Sequence, residues 1–545
     1  MKNFRPVTGL FAALFLVFAS LPGPATAGET QDALRTLAPA LAAGSAPKIG
    51  GVALAQPALL AAFYQQRDYK PLWKHKDDLK ALTDAIAAVT EDGLLPEDYH
   101  VQALGALLRS TDSGDPQQAA RLDLVATDAL ARLAIHLDYG KTDPRTFDPN
   151  WNISAPVAPG DFLKLLNQVA AQDDMVTAAK DLAPHHWFYG QLKKALAAQR
   201  AHVAEGGWGK VGAGETLKPG MSDPRVAALR ARLAASGDYT AATPADPNLF
   251  DDDLVAALKR FQELHGIDPD GAVGKRTLNE LNITAQQRVD QLRLNLERAR
   301  WVLNQLGDEF IVVNISGFHL YVVKGGVPVW DSRVIVGRTY RQTPMFKSNM
   351  RTVVLNPTWT VPPTILKQDM LPKIARDPSY LASHNIAVVD GRGAEVDPGT
   401  IDWQQARRGL PYNLVQRPGE DNSLGRVKFL FPNEHAVYLH DTPNRALFER
   451  ADRAASSGCI RLENPMALAD YLLAGDTDWP KERIEEVLAA GHTQNIILKR
   501  TMPIVIIYWT AQLDRDGTMH FFPDLYNRDP ALLRALGAEK NATGR

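Results

Sequence analysis

Apolar residues recur at helical spacing through the first 200 positions of the chain. One such set is Leu59, Leu60, Phe63 and Tyr64, and similar sets follow, separated by turn signals such as Glu91-Asp92-Gly93. Apolar positions three and four residues apart lie on one face of a helix, so this spacing predicts helices that bury one side. We therefore expect a helical scaffold domain over residues 57–203, in which the sequence shows no chemical constellation.

A second helical segment follows a boundary rich in glycine. Apolar positions predict one helix around 226–233 and another around 254–262, the second capped by the acidic run 251–253. The segment 266–278 then carries closely spaced glycines and an Asp-Gly step, which predict a tight loop before another short helix. Residues 220–284 form this module, and a further helix through Val289, Leu292, Leu296 and Ala299 follows it.

The period changes to that of strands near Phe310. Short runs rich in β-branched and aromatic residues are broken by Ser316-Gly317 and Gly325-Gly326, as hairpins require. They predict a mostly β domain over 308–530, with strands at 311–315, 319–323, 329–336, 352–355, 427–430 and 436–439. Residues 504–509 and 519–522 are expected to pair as a closing hairpin. The irregular stretch 362–425 is too long for a simple loop, so we expect a large insertion that caps the site.

The two ends of the chain carry different signals. Lys2 and Arg5 precede a short apolar run, which leads to Ala25-Thr26-Ala27, the order of a secretory signal over residues 1–27. An uncleaved membrane anchor is the alternative, although the apolar run is short for a span. Ala/Pro-rich residues 28–56 are expected to be a flexible lead-in, and residues 531–545 a C-terminal tail. The fold class is therefore multidomain α+β.

Composition narrows the chemistry. The chain has 545 residues and a formal net charge of −2, from 60 basic and 62 acidic side chains, so nothing indicates a nucleic-acid partner. The single cysteine, Cys459, excludes an internal disulfide. The histidines are scattered without metal-ligand spacing, and one Cys/His pair is too few for structural zinc, so we expect no metal and no cofactor.

Candidate catalytic residues cluster in two short segments, 438–443 and 456–462. Cys459 follows a glycine, and His440 lies at the end of a predicted strand. A cysteine nucleophile needs a neighbour that removes its proton, and histidine suits this role near neutral pH. The backbone N–H groups of Ser457, Gly458 and Cys459 are expected to form an oxyanion hole.

Two further residues near Cys459, Arg461 and Asp441, could take part in the chemistry. Arg461 brings a fixed cation that could lower the thiol pKa or hold a substrate carboxylate. The side chain of Asp441 is not expected to orient His440, because adjacent strand residues point to opposite faces. The alternatives are an inert buried cysteine, a core histidine with satisfied hydrogen bonds, and a surface ion pair between Arg461 and Glu463.

The spacing H-x(15)-S-x-G-C-I-R, from His440 to Arg461, resembles the signature of the L,D-transpeptidase catalytic domain, the YkuD domain. Gly337, Thr343-Pro344 and Phe346 look like the G…T-P…F approach of that family to its sheet. The helix ending in F-Q before 266–278 resembles the three-helix peptidoglycan-binding domain. The order of domains, with a large insertion, resembles the long YcbB-type periplasmic enzymes. Ser457 stands where many members have histidine, which leaves His440 as the base.

This resemblance implies the roles of the site residues. Cys459 would be the nucleophile and His440 the base, its imidazole oriented by the main-chain carbonyl of Asp441. Ser456 would support the site, while Arg461 and Tyr438 would line the donor pocket. Cys459 would attack the third residue of a tetrapeptide stem, release D-Ala and form a 3→3 cross-link through a thioester. Carbapenems would acylate the same thiol, whereas most penicillins would not.

The resemblance also implies partners and a location. Peptidoglycan stem peptides would be donor and acceptor, other cell-wall synthases would be candidate partners, and the location would be the periplasm. A membrane would be involved only through an uncleaved signal. The same intermediate also fits an L,D-carboxypeptidase or a lipoprotein-anchoring transferase. Two other classes remain: a papain-like peptidase, disfavoured because its cysteine precedes its histidine in the chain, and a non-catalytic cell-wall-binding scaffold.

Overall fold

The structure is a computed structural model that describes residues 26–42, 48–110, 114–149, 151–154, 158–242, 244–514 and 516–537. The chain forms two compact units. The first comprises the described residues up to Ala87, together with Pro96–Ala134 and Ala158–Ala179. The second comprises Ala88–Leu95, Ile135–Val157 and the chain from Lys180 onward. No helix within the described ranges combines the length and apolar character needed to span a membrane.

The first unit is built from helices. They are α1 (Ala27–Ala42), α2 (Pro57–Gln66), α3 (Lys76–Ala88), α4 (Val101–Ser110), α5 (Pro116–Asp138), α6 (Pro159–Ala170) and α7 (Met175–Lys180). The apolar set predicted for α2 is buried, since Leu60, Phe63 and Tyr64 have no exposed surface. The helical pattern of this region is therefore confirmed.

The expectation of a flexible lead-in at residues 28–56 is wrong for its first half, because α1 occupies 27–42. Ala33, Leu34, Ala38 and Leu41 are buried along one side of this helix, which packs against α2. Its alanine-rich composition was interpreted as linker sequence, yet alanine is the strongest helix former and its small side chain allows close packing. The proposed signal segment, up to residue 25, lies outside the described residues.

The second unit contains the remaining helices. They are α8 (Trp187–Ala204), α9 (Pro224–Ala235), α10 (Asp252–Leu264), α11 (Lys275–Leu281), α12 (Ala285–Leu303), α13 (Pro363–Ile365), α14 (Leu371–Ile374), α15 (Ser379–Ser383), α16 (Pro465–Leu473), α17 (Lys481–Ala490) and α18 (Asp529–Leu536). A π-helical turn, Leu366–Met370, joins α13 to α14. Helix α8 packs on the buried helix α12 in this unit, although the sequence grouped it with the scaffold.

The small module of α9, α10 and α11 is held together by one buried amide. Gln262 has no exposed surface, and its side chain donates to Asp270, to the carbonyl of Ala272 and to Thr277 at 2.8–3.1 Å. Its carbonyl oxygen accepts the N–H of Gly271 at 2.9 Å. The F-Q position thus fixes the Asp-Gly loop and the start of α11, and Asp251 caps α10 as predicted.

A β-sheet forms the centre of the second unit. The strands of the chain are β1 (Glu309–Asn314), β2 (His319–Lys324), β3 (Val327–Gly337), β4 (Phe346–Leu355), β5 (Trp359–Thr360), β6 (Ile386–Val389), β7 (Glu395–Val396), β8 (Asn413–Gln416), β9 (Val427–Leu430), β10 (Leu439–His440), β11 (Ala454–Ser456), β12 (Ile460–Leu462), β13 (Gln494–Ile507), β14 (Ala511–Leu513) and β15 (Met519–Phe521). The main sheet runs β11-β3-β12-β10-β9-β4-β13-β1-β2 and closes because β2 also pairs with β3.

The insertion is a subdomain with its own small sheet and core. Strands β5, β8, β6 and β7 form the sheet, and β5 begins slightly before the predicted start of the insertion at 362. Ile374, Val388, Trp403 and Leu414 belong to an apolar cluster separate from that of the main sheet. A separate core allows this segment to keep its own shape.

Three details of the β domain differ from the predictions. Residues 504–509 lie mostly in the long strand β13, which pairs with β1 and β4, so the closing hairpin is formed by β14 and β15 instead. The strand predicted at 436–439 is limited to Leu439–His440, because Ala436 has a positive φ of 54°. Residues 531–536 are not a tail, since α18 buries Leu532 and Leu536; residues 538–545 lie outside the described residues.

Candidate active site

The main sheet places three polar side chains in one row. Two of them, His440 and Arg461, were predicted from the sequence, and the third, Lys428, was not. Strand β10 lies between β9 and β12, and His440 pairs with Lys428 on one side and with Arg461 on the other. Residues directly opposite one another in a sheet project from the same face. Lys428, His440 and Arg461 therefore share a face, while the neighbouring Leu439, Phe429 and Ile460 are buried in the core.

The turn that carries Cys459 is held from both ends. It joins β11 to β12, and Gly458 has a φ of 116°, which a side chain would disfavour. The Ser456 hydroxyl donates to the carbonyl of Cys459 at 2.5 Å and accepts the N–H of Gly458 at 3.1 Å. Thr343 donates to the carbonyl of Gly458 at 2.8 Å and accepts the N–H of Gly337 at 2.9 Å. The turn is therefore fixed before any substrate binds.

Tyr526 completes this support and was missed by the sequence analysis. Its hydroxyl donates to the carbonyl of Gly337 at 2.6 Å and accepts the N–H of Thr343 at 3.2 Å. A β-carbon at Gly337 would lie 2.2 Å from the carbonyl oxygen of Arg341, so this position requires glycine. No local pattern marks Tyr526, because it lies 183 residues beyond Thr343 in the chain.

The expected oxyanion donors need a correction at Gly458. Its N–H already donates to Ser456, so in this conformation it does not face a substrate. Within the described part of the chain, the N–H groups of Ser457 and Cys459 donate no hydrogen bond. These two backbone donors, flanking the bonded one, remain as candidates to stabilise an oxyanion.

His440 is held in a defined tautomer. Its Nδ1 donates to the carbonyl oxygen of Asp441 at 2.5 Å, the contact that the family resemblance implies. The Asp441 carboxylate instead accepts the N–H groups of Thr442 and Arg426 at 2.7 and 2.9 Å. Burial, reinforced by the cations Arg461 and Lys428, lowers the pKa of His440 to about 3. The ring is therefore neutral near pH 7, with Nε2 free to accept a proton.

Cys459 is half-buried beside this histidine. Its thiol donates to the carbonyl of Ala436 at 3.8 Å, and Tyr438 meets the sulfur with its N–H and its hydroxyl. Burial raises the pKa of Cys459, while Tyr438 and the charges of Lys428 and Arg461 oppose that rise. Among the described residues, no hydrogen bond joins the thiol to His440. The resting pair is thus a neutral imidazole on β10 and a thiol in the turn that leads into the adjacent strand β12.

Two cations, Arg461 and Lys428, lie beside Cys459, and neither forms an ion pair with an acidic side chain among the described residues. Glu463 pairs with Arg333 at 2.5 Å, so the surface ion pair considered for Arg461 does not form. The Nε of Arg461 is buried without a hydrogen-bond partner in the described structure. Lys428 lies over the Tyr438 ring, 3.9 Å from its centroid, and burial lowers the pKa of Lys428. This arrangement suits a ligand that supplies carboxylate groups.

Two contacts link the insertion to the surroundings of Cys459, one through Asp369 and one through Trp359. Arg341 donates to the Ser457 hydroxyl at 2.9 Å and pairs with Asp369 of the π-helical turn at 2.7 Å. Trp359, on β5, donates a hydrogen bond to the Tyr438 hydroxyl. Sequence patterns did not mark Lys428, Arg341 or Trp359, because their relation to Cys459 depends on strand register and on the fold of the insertion. No set of three potential metal ligands comes together in the described ranges.

Comparison with known proteins assigns families to three segments. Residues 58–196 match a scaffold domain, 222–281 match a "Putative peptidoglycan binding domain", and 308–485 match the L,D-transpeptidase catalytic domain, YkuD. A protein of Haemophilus influenzae named "Putative L,D-transpeptidase" is 38% identical over 253 residues, which cover 46% of this chain and 50% of that protein. The match thus spans about half the length of that relative.

Two solved structures of such enzymes are also similar. The Ldtfm-avibactam carbamoyl enzyme is 12% identical over 38% of this chain and 51% of its own, with a TM-score of 0.18. An L,D-transpeptidase from Xylanimonas cellulosilytica is 14% identical over 54% of this chain and 99% of its own, with a TM-score of 0.17. Residues 308–485 match the L,D-transpeptidase (YkuD) catalytic domain, and the same chain carries segments that match peptidoglycan-binding and scaffold domains.

Proposed function

We propose that this protein is a periplasmic peptidoglycan L,D-transpeptidase that forms 3→3 cross-links between stem peptides through a thioester on Cys459. The observation that carries the proposal is the neutral His440 ring, whose Nδ1 donates to Asp441 and whose Nε2 is left as a base on the strand beside Cys459. The family match of residues 308–485 supports the reaction class. The peptidoglycan-binding domain supports the substrate class.

In the first step, the thiol proton of Cys459 moves to Nε2 of His440 as the sulfur attacks the carbonyl carbon of the third stem residue. The free N–H groups of Ser457 and Cys459 stabilise the oxyanion, each contributing about 2.7–4 kcal/mol as at well-studied sites. The carbon–nitrogen bond to D-Ala then breaks, and its amine leaves with the proton held by His440. The products are a thioester and free D-Ala.

In the second step, the side-chain amine of another stem attacks the thioester and gives up a proton to His440. The carbon–sulfur bond breaks, the new amide forms, and the thiol regains its proton. Water as the acceptor would give an L,D-carboxypeptidase, and a lipoprotein lysine would give an anchoring enzyme. Arg461 and Lys428 favour a donor with free carboxylates in each case, because both cations lack acidic partners.

The test combines the purified protein with disaccharide tetrapeptides and follows the products by mass spectrometry. We expect D-Ala release and a dimer one D-Ala lighter than two monomers, both absent from Cys459→Ala. A carbapenem should add its full mass to the protein and not to Cys459→Ala. A second candidate, a non-catalytic wall-binding scaffold, is favoured only by the peptidoglycan-binding match. It would give neither product nor adduct, and that result would overturn the proposal.

A further inference from the structure

A cleft of about 600 Å³ opens between the peptidoglycan-binding module and the sheet of the catalytic domain. One wall is the outer face of β2 and β3, with His319, Tyr321 and Asp331. The opposite walls come from the β14–β15 hairpin, with His520, and from the loop after α10, with Gly266. None of these residues belongs to the catalytic row, so the reaction proposed above does not use them.

The module is fixed against the domain by contacts at the edge of this cleft. Asp268 accepts the N–H of Ala451 at 2.6 Å. The Phe521 ring, on β15, stacks on His265 of the module at 5.9 Å. It also lies under the guanidinium of Arg288 on α12, 4.5 Å from the ring centroid, and Arg288 pairs with Glu280 of the module. Cation–π and ring contacts of this kind hold two surfaces in a set geometry. The cleft is therefore a formed feature within one compact unit.

The walls of the cleft present flat rings together with charges of both signs. His319 stacks on Tyr321 at 5.4 Å and lies 3.5 Å from Asp331, while His520 stacks on Phe522 at 5.9 Å and lies 3.1 Å from Asp514. Rings accept the apolar face of a sugar, and paired donors and acceptors suit hydroxyl and acetamido groups, which do both. The catalytic row differs, because its nearby cations are unpaired and call for carboxylates.

The cleft and the catalytic row lie on the same face of the sheet. Ile335 pairs with Arg461, and Arg333 and Asp331 follow at alternate positions along β3, where side chains share a face. Cys459 precedes Arg461 by two residues and β12 runs antiparallel to β3, so Cys459 lies level with Gly337, about 20 Å along the strand from Asp331. The cleft begins closer, because Arg333 also lines it and lies about 13 Å along the strand from that level. A stem extended over three residues spans about 11 Å, so a sugar at the Arg333 end of the cleft would leave the third carbonyl near Cys459.

We propose that this cleft binds the uncharged N-acetylated amino sugars of the glycan strand that bears the donor stem. The register of the third stem residue over Cys459 would then be set by the sugar at one end and by the cations at the other. The placement of the stem toward Cys459 rests on the proposed function. Binding of the sugar in the cleft does not depend on catalysis. The ligand class is a β-linked N-acetylhexosamine chain without a requirement for peptide.

The first experiment measures binding alone. Cys459→Ala protein, which carries out no chemistry, is titrated by calorimetry with a soluble tetramer of β-linked N-acetylglucosamine. We expect saturable binding that weakens about 5- to 10-fold in His319→Ala and, separately, in His520→Ala. His384→Ala is the matched control, because His384 is an exposed histidine stacked on Tyr380 at 3.9 Å outside the cleft. Absence of binding, or equal binding by all variants, would overturn the proposal.

The second experiment compares two donors with the active enzyme. His319→Ala and His520→Ala should lower kcat/KM about 5- to 10-fold for a disaccharide tetrapeptide and leave it within twofold for the sugar-free tetrapeptide. An equal loss on both donors would assign these residues a structural role and contradict the inference. Sugar binding without turnover of either donor would instead count against the proposed function alone. Melting temperatures equal to that of the wild type would exclude unfolding of the variants. If one variant fails to fold, the other still tests the inference.

Discussion

Buried polar groups occur in both units of the chain, but the two units differ in whether these groups have hydrogen-bond partners. In the first unit, Asp123 accepts the hydroxyl of Tyr64 and the N–H groups of Leu72 and Trp73, the last two at 3.1 Å. His100 likewise pairs with Asp128 at 2.7 Å, and Arg132 joins the same carboxylate. Each charge in this network has partners, as folded proteins generally require.

The catalytic face leaves several groups unpartnered. The Nε of Arg461 and the N–H groups of Ser457 and Cys459 make no hydrogen bond with described residues. Of these groups the Nε of Arg461 is buried, whereas Ser457 is exposed and Cys459 is half-buried. An unpaired buried polar group costs roughly 1–3 kcal/mol, a cost that a ligand anion beside Arg461 would remove. A buried histidine paired with a buried acid therefore does not by itself indicate an active site. Polar groups without hydrogen-bond partners beside a candidate nucleophile are the better indication.

The largest effect is expected from removal of the proposed base. His440→Gln should lower kcat/KM for cross-linking by roughly 10³-fold, because general-base catalysis contributes about 10²–10⁴-fold. Turnover of the disaccharide tetrapeptide measures the effect, with His202→Gln as a control for histidine loss elsewhere. His202 contacts Trp208 outside the catalytic domain. A loss below about tenfold would mean that another group takes the proton.

The pH profile of the wild-type enzyme tests the same residue. Because burial and nearby cations lower the pKa of His440 to about 3, the ring stays neutral well below its ordinary value of 6.5. We therefore expect kcat/KM to show no acid decline between pH 5 and 7. A decline with a midpoint near pH 6.5 would show that His440 titrates as an ordinary histidine and would contradict the environment described here.

The next largest effect should come from Arg461. Arg461→Met removes the unpaired guanidinium and should lower kcat/KM about 10- to 150-fold, which corresponds to the 1.5–3 kcal/mol of a hydrogen bond to a charged group. The loss should shrink to within about twofold when the stem carboxylates are amidated, since the interaction then has no anion. Arg351→Met, at an exposed position on β4, is the matched control. An equal loss on both stems would assign Arg461 a structural role.

Local sequence features predicted much of this site because they act over short distances. The Ser-Gly-Cys turn and the strand end at His440 are encoded within a few residues, and the family resemblance supplied the carbonyl of Asp441 as the partner of Nδ1. Lys428 was missed because its position opposite His440 depends on the pairing of β9 with β10. The hydrogen bond from the Gly458 N–H to Ser456 was not predicted, because the sequence does not show where the Ser456 hydroxyl points.

In the fold, too, features set by nearby residues were predicted, whereas features set by long-range pairing were not. Helical period located the buried faces of α2 and α12, whereas α1 was taken for a linker because alanine serves in both linkers and helices. The long strand β13 was divided wrongly because its pairing with β1 and β4 is set by the whole sheet. Hydrophobic spacing determines which side of an element is buried, but it does not determine the partner against which that side packs.

A smaller effect is expected in the fully partnered network of the first unit. Burial raises the pKa of Asp123 to about 6, so between pH 3.8 and 6 the folded state binds more protons than the unfolded state. The stability contribution of this group therefore falls as pH rises through that window. Asp123→Asn should lower the free energy of unfolding by about 1–3 kcal/mol at pH 4.5 and by less at pH 7. Urea unfolding at both pH values measures this, and a larger loss at pH 7 would contradict the sign.

The smallest effect is expected at the edge of the catalytic face, where Arg341 joins Ser457 to Asp369 of the insertion. An ion pair that is partly exposed contributes about 0–1 kcal/mol, so Arg341→Met should change kcat/KM by less than about fivefold. The ratio of hydrolysed product to cross-linked product is the more sensitive measurement.

If the insertion limits access of water to the thioester, loss of the link between Arg341 and Asp369 should raise hydrolysis relative to cross-linking. Arg417→Met, which breaks an exposed pair with Glu395 within the same insertion, is the matched control and should leave the ratio unchanged. An unchanged ratio in Arg341→Met would show that the insertion excludes water without this contact, or does not exclude it, and deletion of residues 362–425 would then separate the two.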